Sequence, residues 1–430
     1  MQKNNECFTC RQWRQGRCNC KENQGTDTLY SVIMNDNPSI IKLSRDVIDY
    51  STDSQKIVDF ARKNKIDIAF IGPDGVLETD LVDRLSENHI PVASPTQKAA
   101  KIETSKEYMR SLMKKYRIRG DIENTVITNS EYLKEFFHEN EGEYAVKPIG
   151  LTGGKGVKVM GLQLNGTAEA MAYASEILER DGKVLLEKRE TGEEFSIQAF
   201  TDGTHIAFMP VVQDYKRLYE DDLGPNTGGM GSISDKNFTL PFITIDSVND
   251  ARNILRKIVN SMKEDGNTFK GVMYGQFMDT SHGVKVIEVN ARFADPESIN
   301  VLTLFKSNLV DVFLDIYSGT LKENLKFLDK ATVLKYIVPP GYGIKPVESE
   351  LVIKDGIESD NFKLYYSSVS GTLNRVKTSK SRALALIGIG DSIYEASDIV
   401  EDKLKYISGD YYIRHDIGTE QMLTRKIRGQ

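Results

Sequence analysis

Two lysines eight residues apart bracket a glycine-rich segment. Lys147 closes a short apolar run that predicts a buried strand, and the segment after it ends in Gly153, Gly154, Lys155 and Gly156. Glycines let backbone N–H groups approach phosphate oxygens without a Cβ in the way. The segment is not a P-loop, because Ile149 stands where the first glycine of that motif should be. The pattern predicts a triphosphate clamp; a solvated hairpin with surface lysines is the alternative.

Carboxylates follow two later apolar strands. Glu187 and Glu194 flank a turn, where their oxygens suit an adenine amino group and a ribose hydroxyl. Glu288 and Asn290 lie in a segment that alternates apolar and polar residues, so both point from one strand face. Two hard oxygen ligands there suit Mg²⁺ that also holds ATP phosphates. Each pattern alone could instead be a charged strand edge or turn.

Together these segments resemble the ATP-grasp ligases, and within them the phosphoribosylamine–glycine ligase family, also called glycinamide ribonucleotide synthetases. The similarity covers about residues 27–418, and its motifs begin at Gly72, Ser105, Gly153, Gln213, Gly224 and Glu288. The run Gly-Pro-Asn-Thr-Gly-Gly-Met-Gly from Gly224 is the most specific. The chain departs from the family pattern without losing a needed charge at Asp74, Ser94, Tyr215, Ala291 and Ala294.

The resemblance implies an ADP-forming carbon–nitrogen ligase that joins glycine to 5-phosphoribosylamine through glycyl phosphate, in purine biosynthesis. It implies ATP and Mg²⁺ or Mn²⁺ as cofactors. Phosphoryl transfer of this kind depends mainly on positioning and charge neutralisation. The implied ATP-binding residues are Lys106, Lys147, Gly153, Gly154, Lys155, Gly156, Glu187, Arg189 and Glu194. Glu288 and Asn290 would hold the metal, with Gln276 as a weak or water-mediated ligand.

The resemblance also implies the residues that handle the substrates. Arg292 would grip a carboxylate or acyl phosphate with two parallel hydrogen bonds, which lysine could not do. Asp214 and Asp295 would hold an ammonium or amine, and Lys216 and Arg217 would meet the ribose phosphate. Asn226, Thr227, Gly228 and Gly229 would form a loop of backbone donors over the reacting groups. The substrate-binding set is therefore Asp214, Lys216, Arg217, Asn226, Thr227, Gly228, Gly229, Arg292, Asp295 and Glu297, with Arg292, Asp295 and Asp214 as catalytic residues. Asp295 and Glu297 could instead only favour a helix N-terminus.

Length and composition limit the class of protein. A chain of 430 residues is too long for one core, and 40% hydrophobic with 27% charged residues is typical of a globular protein. A net charge of −6 gives no basic footprint for nucleic acid, and no apolar run is long enough to span a membrane. We expect a cytoplasmic protein, monomeric or weakly homodimeric, whose partners are small-molecule substrates and neither nucleic acid nor membrane.

The elements that must position these residues follow an α/β pattern. Short apolar runs alternate with helical patterns over residues 27–100, which predicts an amino-terminal parallel-sheet (pre-ATP-grasp) domain. A single helix is predicted over residues 98–116. An ATP-grasp body should span residues 101–325, with a lid at about 121–186, and a small α+β carboxyl-terminal domain should span 326–430. Gly388, Gly390 and Asp391 predict a strand-to-helix turn.

The first 26 residues depart from the family, whose members open with an apolar strand and a phosphate-holding glycine turn. Read one nucleotide later, codons compatible with residues 5–20 permit Met-Asn-Val-Leu-Leu-Val-Gly-Asn-Gly-Gly, which is that strand and turn. We interpret residues 1–26 as an aberrant segment produced by a frameshift. The segment should be disordered or loosely packed, the sheet should lose a central strand, and the protein should bind ATP but ligate poorly.

Three alternatives remain open at this point. All four cysteines are Cys7, Cys10, Cys18 and Cys20, a clustering that would suit a zinc-dependent interaction module. The chain could be another ATP-grasp carboxylate–amine ligase or a biotin-dependent carboxylase subunit, differing in the acceptor. It could also be an inactive nucleotide-binding paralogue that lacks the amino-terminal turn.

Overall fold

The computed structural model describes residues 5–10, 27–152 and 156–428, the first of these for the backbone only. The helices of this part, numbered in chain order, are α1 Pro38–Leu43, α2 Ser54–Lys63, α3 Asp74–Leu77, α4 Leu81–Glu87, α5 Lys101–Thr104, α6 Lys106–Lys115, α7 Ser130–Glu139, α8 Thr167–Asp181, α9 Ile245–Glu264, α10 Glu297–Leu304, α11 Leu309–Ser318, α12 Ile393–Lys403 and α13 Glu420–Arg428. Short 3₁₀ helices cover Glu220–Asp222, Lys236–Phe238 and Leu404–Tyr406.

The strands of the same part form five sheets. They are β1 Asn5–Cys10, β2 Asp27–Ile33, β3 Ser44–Asp49, β4 Ile68–Ile71, β5 Asn124–Ile127, β6 Tyr144–Pro148, β7 Lys158–Val159, β8 Val184–Lys188, β9 Glu193–Thr201, β10 Ile206–Phe208, β11 Gln213–Tyr219, β12 Leu223–Ser234, β13 Gly271–Thr280, β14 Gly283–Asn290, β15 Ala331–Ile337, β16 Glu350–Ile353, β17 Phe362–Tyr366, β18 Val369–Gly371, β19 Arg375–Thr378, β20 Leu384–Gly390 and β21 Ile407–Gly409.

The amino-terminal sheet is parallel, with the order β3-β2-β1-β4. β1 fills the central place, where the backbone of Cys7 is in register with Leu29 on one side and Ile68 on the other. The prediction that this sheet lacks its central strand is therefore wrong. Main-chain hydrogen bonds to parallel strands on both sides can hold a strand whatever its side chains. The cysteine side chains of the alternative zinc module and residues 11–26 lie outside the described part.

The predicted lid contains an antiparallel sheet with the order β5-β8-β6-β7. Helices α7 and α8 contact each other and this sheet, and their apolar faces form a core of their own with Ile127, Val146 and Leu186. Asn129 caps α7 through its side chain, and Gly182 ends α8 in the left-handed conformation. The lid sheet thereby presents β6 and β8, the strands that carry Lys147 and Glu187.

The main sheet of the predicted ATP-grasp body, called the catalytic sheet below, is antiparallel, with the order β10-β9-β13-β14. Helix α9 packs on one face through an apolar stripe that includes Ala251, Leu255 and Ile258. The pairing of β13 with β14 sets Gln276 directly opposite Glu288. This register brings the Gln276 and Glu288 side chains next to each other on the sheet.

A further sheet joins two regions that are distant in sequence. Its order is β11-β12-β15-β20-β17, so the β11–β12 hairpin of the ATP-grasp body continues into strands after residue 330. A small sheet, β18-β19-β16-β21, completes the carboxyl-terminal region. Over the residues that the structure describes, no helix is long and apolar enough to cross a membrane.

The predicted turn after the strand near residue 390 is confirmed, because β20 ends at Gly390 and the Ser392 side chain caps α12. The single helix predicted over residues 98–116 is wrong. Ser105 is extended, with φ −138° and ψ 103°, and it separates α5 from α6 while its side chain accepts a hydrogen bond from the Tyr108 N–H. This break places Lys106 at the first position of α6.

Candidate functional site

A cleft of about 660 Å³ collects side chains from the lid sheet, the catalytic sheet and the β11–β12 hairpin. Residues 153–155, with the predicted Gly153, Gly154 and Lys155, lie outside the described part. The predicted site residues that line the cleft are Lys106, Lys147, Glu187, Arg189, Glu194, Asp214, Lys216, Arg217, Asn226, Thr227, Gly228, Gln276, Glu288, Asn290, Arg292, Asp295 and Glu297. Segments spread over about 190 residues thus meet at one site.

Lys147 is held by a buried charge network behind the cleft. Its Nζ lies 2.5 Å from Glu187 Oε2, and Arg110 Nε donates to Glu187 Oε1 at 2.7 Å. Arg110 also pairs with Asp121 at 3.1 Å and donates to the Val286 carbonyl at 2.9 Å. Burial would raise the pKa of Glu187, but the two cations hold it at about 2. Glu187 is therefore ionised and already paired, which makes it a positioning residue for Lys147.

Lys106 reaches the cleft from the break between α5 and α6. Its Nζ donates to the Gly150 carbonyl at 2.9 Å and its backbone N–H donates to Ile149 at 3.1 Å, so it is tied to the start of the glycine segment. Burial lowers the pKa of Lys106, against the opposing effect of Glu288. A cation at this point suits a polyphosphate that enters between the lid and the catalytic sheet.

Glu288 and Asn290 face the cleft from β14. Asn290 Nδ2 donates to Glu288 Oε1 at 3.1 Å. Burial acts to raise the pKa of Glu288, but Lys216 and the Asn290 hydrogen bond bring it below its usual value, so the carboxylate is ionised. Gln276 is already engaged, because its Nε2 donates to Glu194 at 2.5 Å. Among the described residues there is no group of three or more His, Cys, Asp or Glu that could hold a metal.

Lys216 stands among carboxylates on the hairpin side. Its Nζ lies 3.6 Å from Asp214 Oδ2 and 3.5 Å from Glu194 Oε2. Burial opposes the charge, yet Asp214, Glu194 and Glu288 raise the pKa of Lys216. Burial raises the pKa of Asp214, with Lys216 acting against it.

Glu297 is a buried acid beside this cluster. It is 3% exposed, and its Oε1 contacts the Tyr274 hydroxyl at 2.9 Å. Burial, followed by the nearby Asp214, raises the pKa of Glu297 to about 8. The site thus holds an acid that is protonated at neutral pH until a positive charge enters.

Arg292 follows the end of β14, two residues after Asn290. Its Nε is 3.1 Å from Glu103 Oε1, and its Nη1 donates to the Phe293 carbonyl at 3.1 Å. Glu103 also accepts from the Ala291 N–H at 2.7 Å, and burial raises the pKa of Glu103 to about 6 despite Arg292. The guanidinium is therefore fixed through Nε and Nη1, which leaves Nη2 and the second N–H of Nη1 as the part that faces a substrate.

Asp295 is occupied by protein partners. Tyr336 donates to Asp295 Oδ1 at 2.6 Å, and Arg382 Nη2 lies 3.2 Å from Asp295 Oδ2. Arg382 also donates to the Gly228 carbonyl at 2.5 Å. Gly229 has a φ of +103°, and a Cβ there would meet Pro296 at 2.7 Å. Arg382 therefore joins the hairpin to the segment that begins α10.

The residues predicted to form a loop of backbone donors, Asn226 to Gly229, lie in β12, one arm of an irregular hairpin with β11. The Gly229 N–H donates to Thr227 Oγ1 at 3.1 Å, and Thr227 Oγ1 donates to the Lys216 carbonyl at 2.8 Å. The Thr227 hydroxyl therefore ties Gly229 to Lys216 at the irregular part of the hairpin. The glycines of this run also permit the close approach of neighbouring segments, such as Pro296 to Gly229.

Two other predicted residues are held in place by the lid and the hairpin. Arg189 pairs with Glu143 and donates to the Met160 carbonyl at 3.1 Å. Arg217 donates to the Gly224 carbonyl at 2.7 Å. Gly156 does not line the cleft, and a Cβ at that position would meet the Thr152 side chain at 2.7 Å.

Five residues that support the site were not predicted from the sequence. They are Glu103, Arg110, Tyr274, Tyr336 and Arg382. A charged residue on the apolar face of a helix is a usable signal, and Arg110 lies between buried Met109 and Leu112. Arg382 carried no comparable signal, because it comes from a polar turn almost 90 residues after its partner.

Comparisons with known proteins agree with this geometry. Two family models match: "Phosphoribosylglycinamide synthetase, N domain" over residues 18–103, and "Phosphoribosylglycinamide synthetase, ATP-grasp (A) domain" over residues 104–298. The chain is 43% identical over 408 residues to the phosphoribosylamine–glycine ligase of Methanothermobacter thermautotrophicus, covering 93% of each chain. It is 41% identical over 408 residues to that of Pyrococcus abyssi, covering 94% of this chain and 92% of the relative.

Solved structures share the fold. A crystal structure of phosphoribosylamine–glycine ligase from Thermotoga maritima superposes with a TM-score of 0.81 at 23% identity, covering 96% of this chain and 99% of that chain. The biotin carboxylase domain of 2-oxoglutarate carboxylase from Hydrogenobacter thermophilus, solved with MgADP, ADP and bicarbonate, superposes with a TM-score of 0.72 at 16% identity, covering 99% and 94%. The second match reflects the shared ATP-grasp architecture.

Proposed function

Because the chain belongs to the phosphoribosylamine–glycine ligase family and is an ADP-forming carbon–nitrogen ligase of purine biosynthesis, we propose how its own residues carry that reaction. A glycine carboxylate oxygen attacks the γ-phosphorus of ATP as the bond to ADP breaks. The amine nitrogen of 5-phosphoribosylamine then attacks the glycyl carbonyl carbon, phosphate leaves, and the nitrogen loses a proton. Neither another acceptor nor an inactive paralogue is favoured over this function.

We assign the triphosphate to the lysines at the mouth of the lid. Lys106 and Lys147 line the cleft together, and Glu187 with Arg110 holds Lys147 in place. Their positive charges neutralise phosphate oxygens as charge moves in the transfer. Lys155 would add a third positive charge from the glycine segment. Arg189 and Glu194 would border the nucleoside end.

The donor set on β14 fits a divalent cation held jointly with phosphate oxygens. Ionised Glu288 and the Asn290 carbonyl oxygen are hard ligands on one strand face. Gln276 already bonds to Glu194, which supports only a weak or water-mediated role. Mg²⁺ or Mn²⁺ would neutralise phosphate charge there. ATP-grasp enzymes work with such a metal, and a neighbouring biotin carboxylase was solved with MgADP.

The substrates would lie between Arg292 and the hairpin. The terminal nitrogens of Arg292 would hold the glycine carboxylate and then the acyl phosphate. Asp214 and Glu297 would hold the amino group, because an ammonium placed between them would favour the ionised form of both acids. Lys216 and Arg217 would meet the ribose phosphate. Asp295, already bonded to Arg382 and Tyr336, would position the hairpin instead of contacting an amine.

The observation that carries this proposal is the convergence of Lys106, Lys147, Lys216, Glu288 and Arg292 on one cleft. The decisive experiment measures ADP formation by the purified protein with Mg²⁺ while glycine and phosphoribosylamine are omitted in turn. We expect ADP only when both are present. Equal ADP release without either substrate would contradict the assignment.

A matched pair of variants tests the triphosphate clamp. Lys147→Ala should weaken ATP binding and slow transfer together, because the charge acts in the ground state and as charge shifts. Lys134→Ala removes an exposed lysine of the lid helix α7 and is the control. Equal kinetic constants for the two variants would remove Lys147 from the clamp.

A further inference from the structure

The terminal helix α13 reaches the cleft from beyond residue 418, where the sequence resemblance ends. Lys426 lines the cleft, and its Nζ lies 2.9 Å from Glu193 Oε2. The Lys426 side chain is only 17% exposed. A residue near the end of the chain therefore contributes to the wall beside the nucleoside end of the site.

Packing and ion pairs fix this helix to the body. Met422 and Leu423 are buried in the main core, and Arg425 pairs with Asp221 at 2.5 Å, next to the turn of the β11–β12 hairpin. Lys426 itself lies over the Tyr215 ring at 5.7 Å and the Phe242 ring at 5.5 Å. Aromatic faces attract an ammonium and restrict its position. The Lys426 contact is thus anchored from several directions.

Glu193 connects Lys426 to polar side chains that line the cleft. The same Glu193 Oε2 accepts from Gln213 Nε2 at 3.3 Å, and Gln213 Nε2 also donates to the Glu194 carbonyl at 2.6 Å. Glu194 in turn bonds to Gln276 and approaches Lys216. Lys426 therefore stands at the outer end of a hydrogen-bonded row that fixes the first residues of β9 against β11.

We propose that Lys426 is a positioning residue for the nucleotide: it neutralises Glu193 and so sets the edge of β9 that borders the nucleoside. The inference rests on the proposed nucleotide site. Without the lysine, Glu193 would lose the ammonium group that lies 2.9 Å from its Oε2. Glu193 would then be held less firmly against Gln213, which also bonds to the Glu194 carbonyl, so this edge of β9 would shift and nucleotide binding would weaken more than the binding of glycine.

The test compares Lys426→Gln with Arg428→Gln, an exposed basic residue of the same helix. Binding of MgADP is measured by titration calorimetry, and KM and kcat are measured for all three substrates. Lys426→Gln should raise the Kd for MgADP about two- to fivefold, as expected for a partly exposed ion pair. Lys426→Arg should restore binding. The double variant Glu193→Gln with Lys426→Gln should bind MgADP at least as well as Lys426→Gln, because the uncompensated charge is gone.

Three results would overturn the proposal. They are an unchanged Kd in Lys426→Gln, an equal loss in Arg428→Gln, or an equal rise of KM for every substrate together with a lower melting temperature. The calorimetric result does not depend on turnover. A failure of ligation in the wild-type protein would therefore count against the proposed function, while the Kd of the variants separately decides the role of Lys426.

Discussion

Glu297→Gln should stabilise the protein at neutral pH while it damages catalysis. The pKa of Glu297 is about 8 in the folded protein, against 4.5 for an unperturbed glutamate. Between these values the folded state binds one more proton than the unfolded state, so wild-type stability falls as pH rises. Glutamine has nearly the same shape as glutamate and does not ionise. The unfolding free energy of the variant therefore does not fall with pH at this position.

The magnitude follows from the two pKa values. Each unit of pKa difference corresponds to about 1.4 kcal/mol. Between about pH 5.5 and about pH 7.5, the wild-type protein should lose about 2.5 kcal/mol of unfolding free energy relative to Glu297→Gln. Below the unfolded pKa the penalty vanishes.

Thermal unfolding followed by circular dichroism at both pH values measures this difference. The melting temperature of Glu297→Gln relative to wild type should be about 3 °C higher at the upper pH than at the lower, given the unfolding entropy of a chain of this length. Glu288→Gln is the control for sign, since the pKa of Glu288 is lowered and its replacement should not give the same pH-dependent gain. A difference between Glu297→Gln and wild type that does not change with pH would refute the reasoning.

Three further outcomes are expected. Glu288→Ala removes a metal ligand and its charge, so turnover should fall about a hundredfold or more with an unchanged circular dichroism spectrum; unchanged turnover would contradict the metal assignment. Arg292→Lys keeps the charge but loses the planar guanidinium, so steady-state kinetics should show a larger rise of KM for glycine than for ATP, and the reverse would assign Arg292 to the nucleotide. Arg382→Met leaves Asp295 without its cation, so both the melting temperature and kcat should fall; an unaltered kcat would show that the hairpin does not need this tie.

The chemistry-bearing residues were predictable because their types and spacing are local. Lys147, Glu288, Asn290 and Arg292 were chosen from strand alternation and motif, and the structure brings them to one cleft. The helix over residues 98–116 was not predictable in detail. The helical pattern of residues runs through Ser105 without a signal for a break. In the structure Ser105 is extended and its side chain caps α6, which directs Lys106 to the cleft.

Sequence by itself determined the family, the ligase chemistry and the order of α/β segments, because motif residues and strand periodicity are properties of short stretches. Only the tertiary structure decided how the charges are paired. It showed that Glu187 forms an ion pair with Lys147, that Asp295 pairs with Arg382, and that Lys426 pairs with Glu193. Such pairings join residues from about 40 to more than 200 positions apart, and burial then sets their pKa values. No local sequence pattern specifies which residue a charged side chain pairs with or how far that side chain is buried away from water.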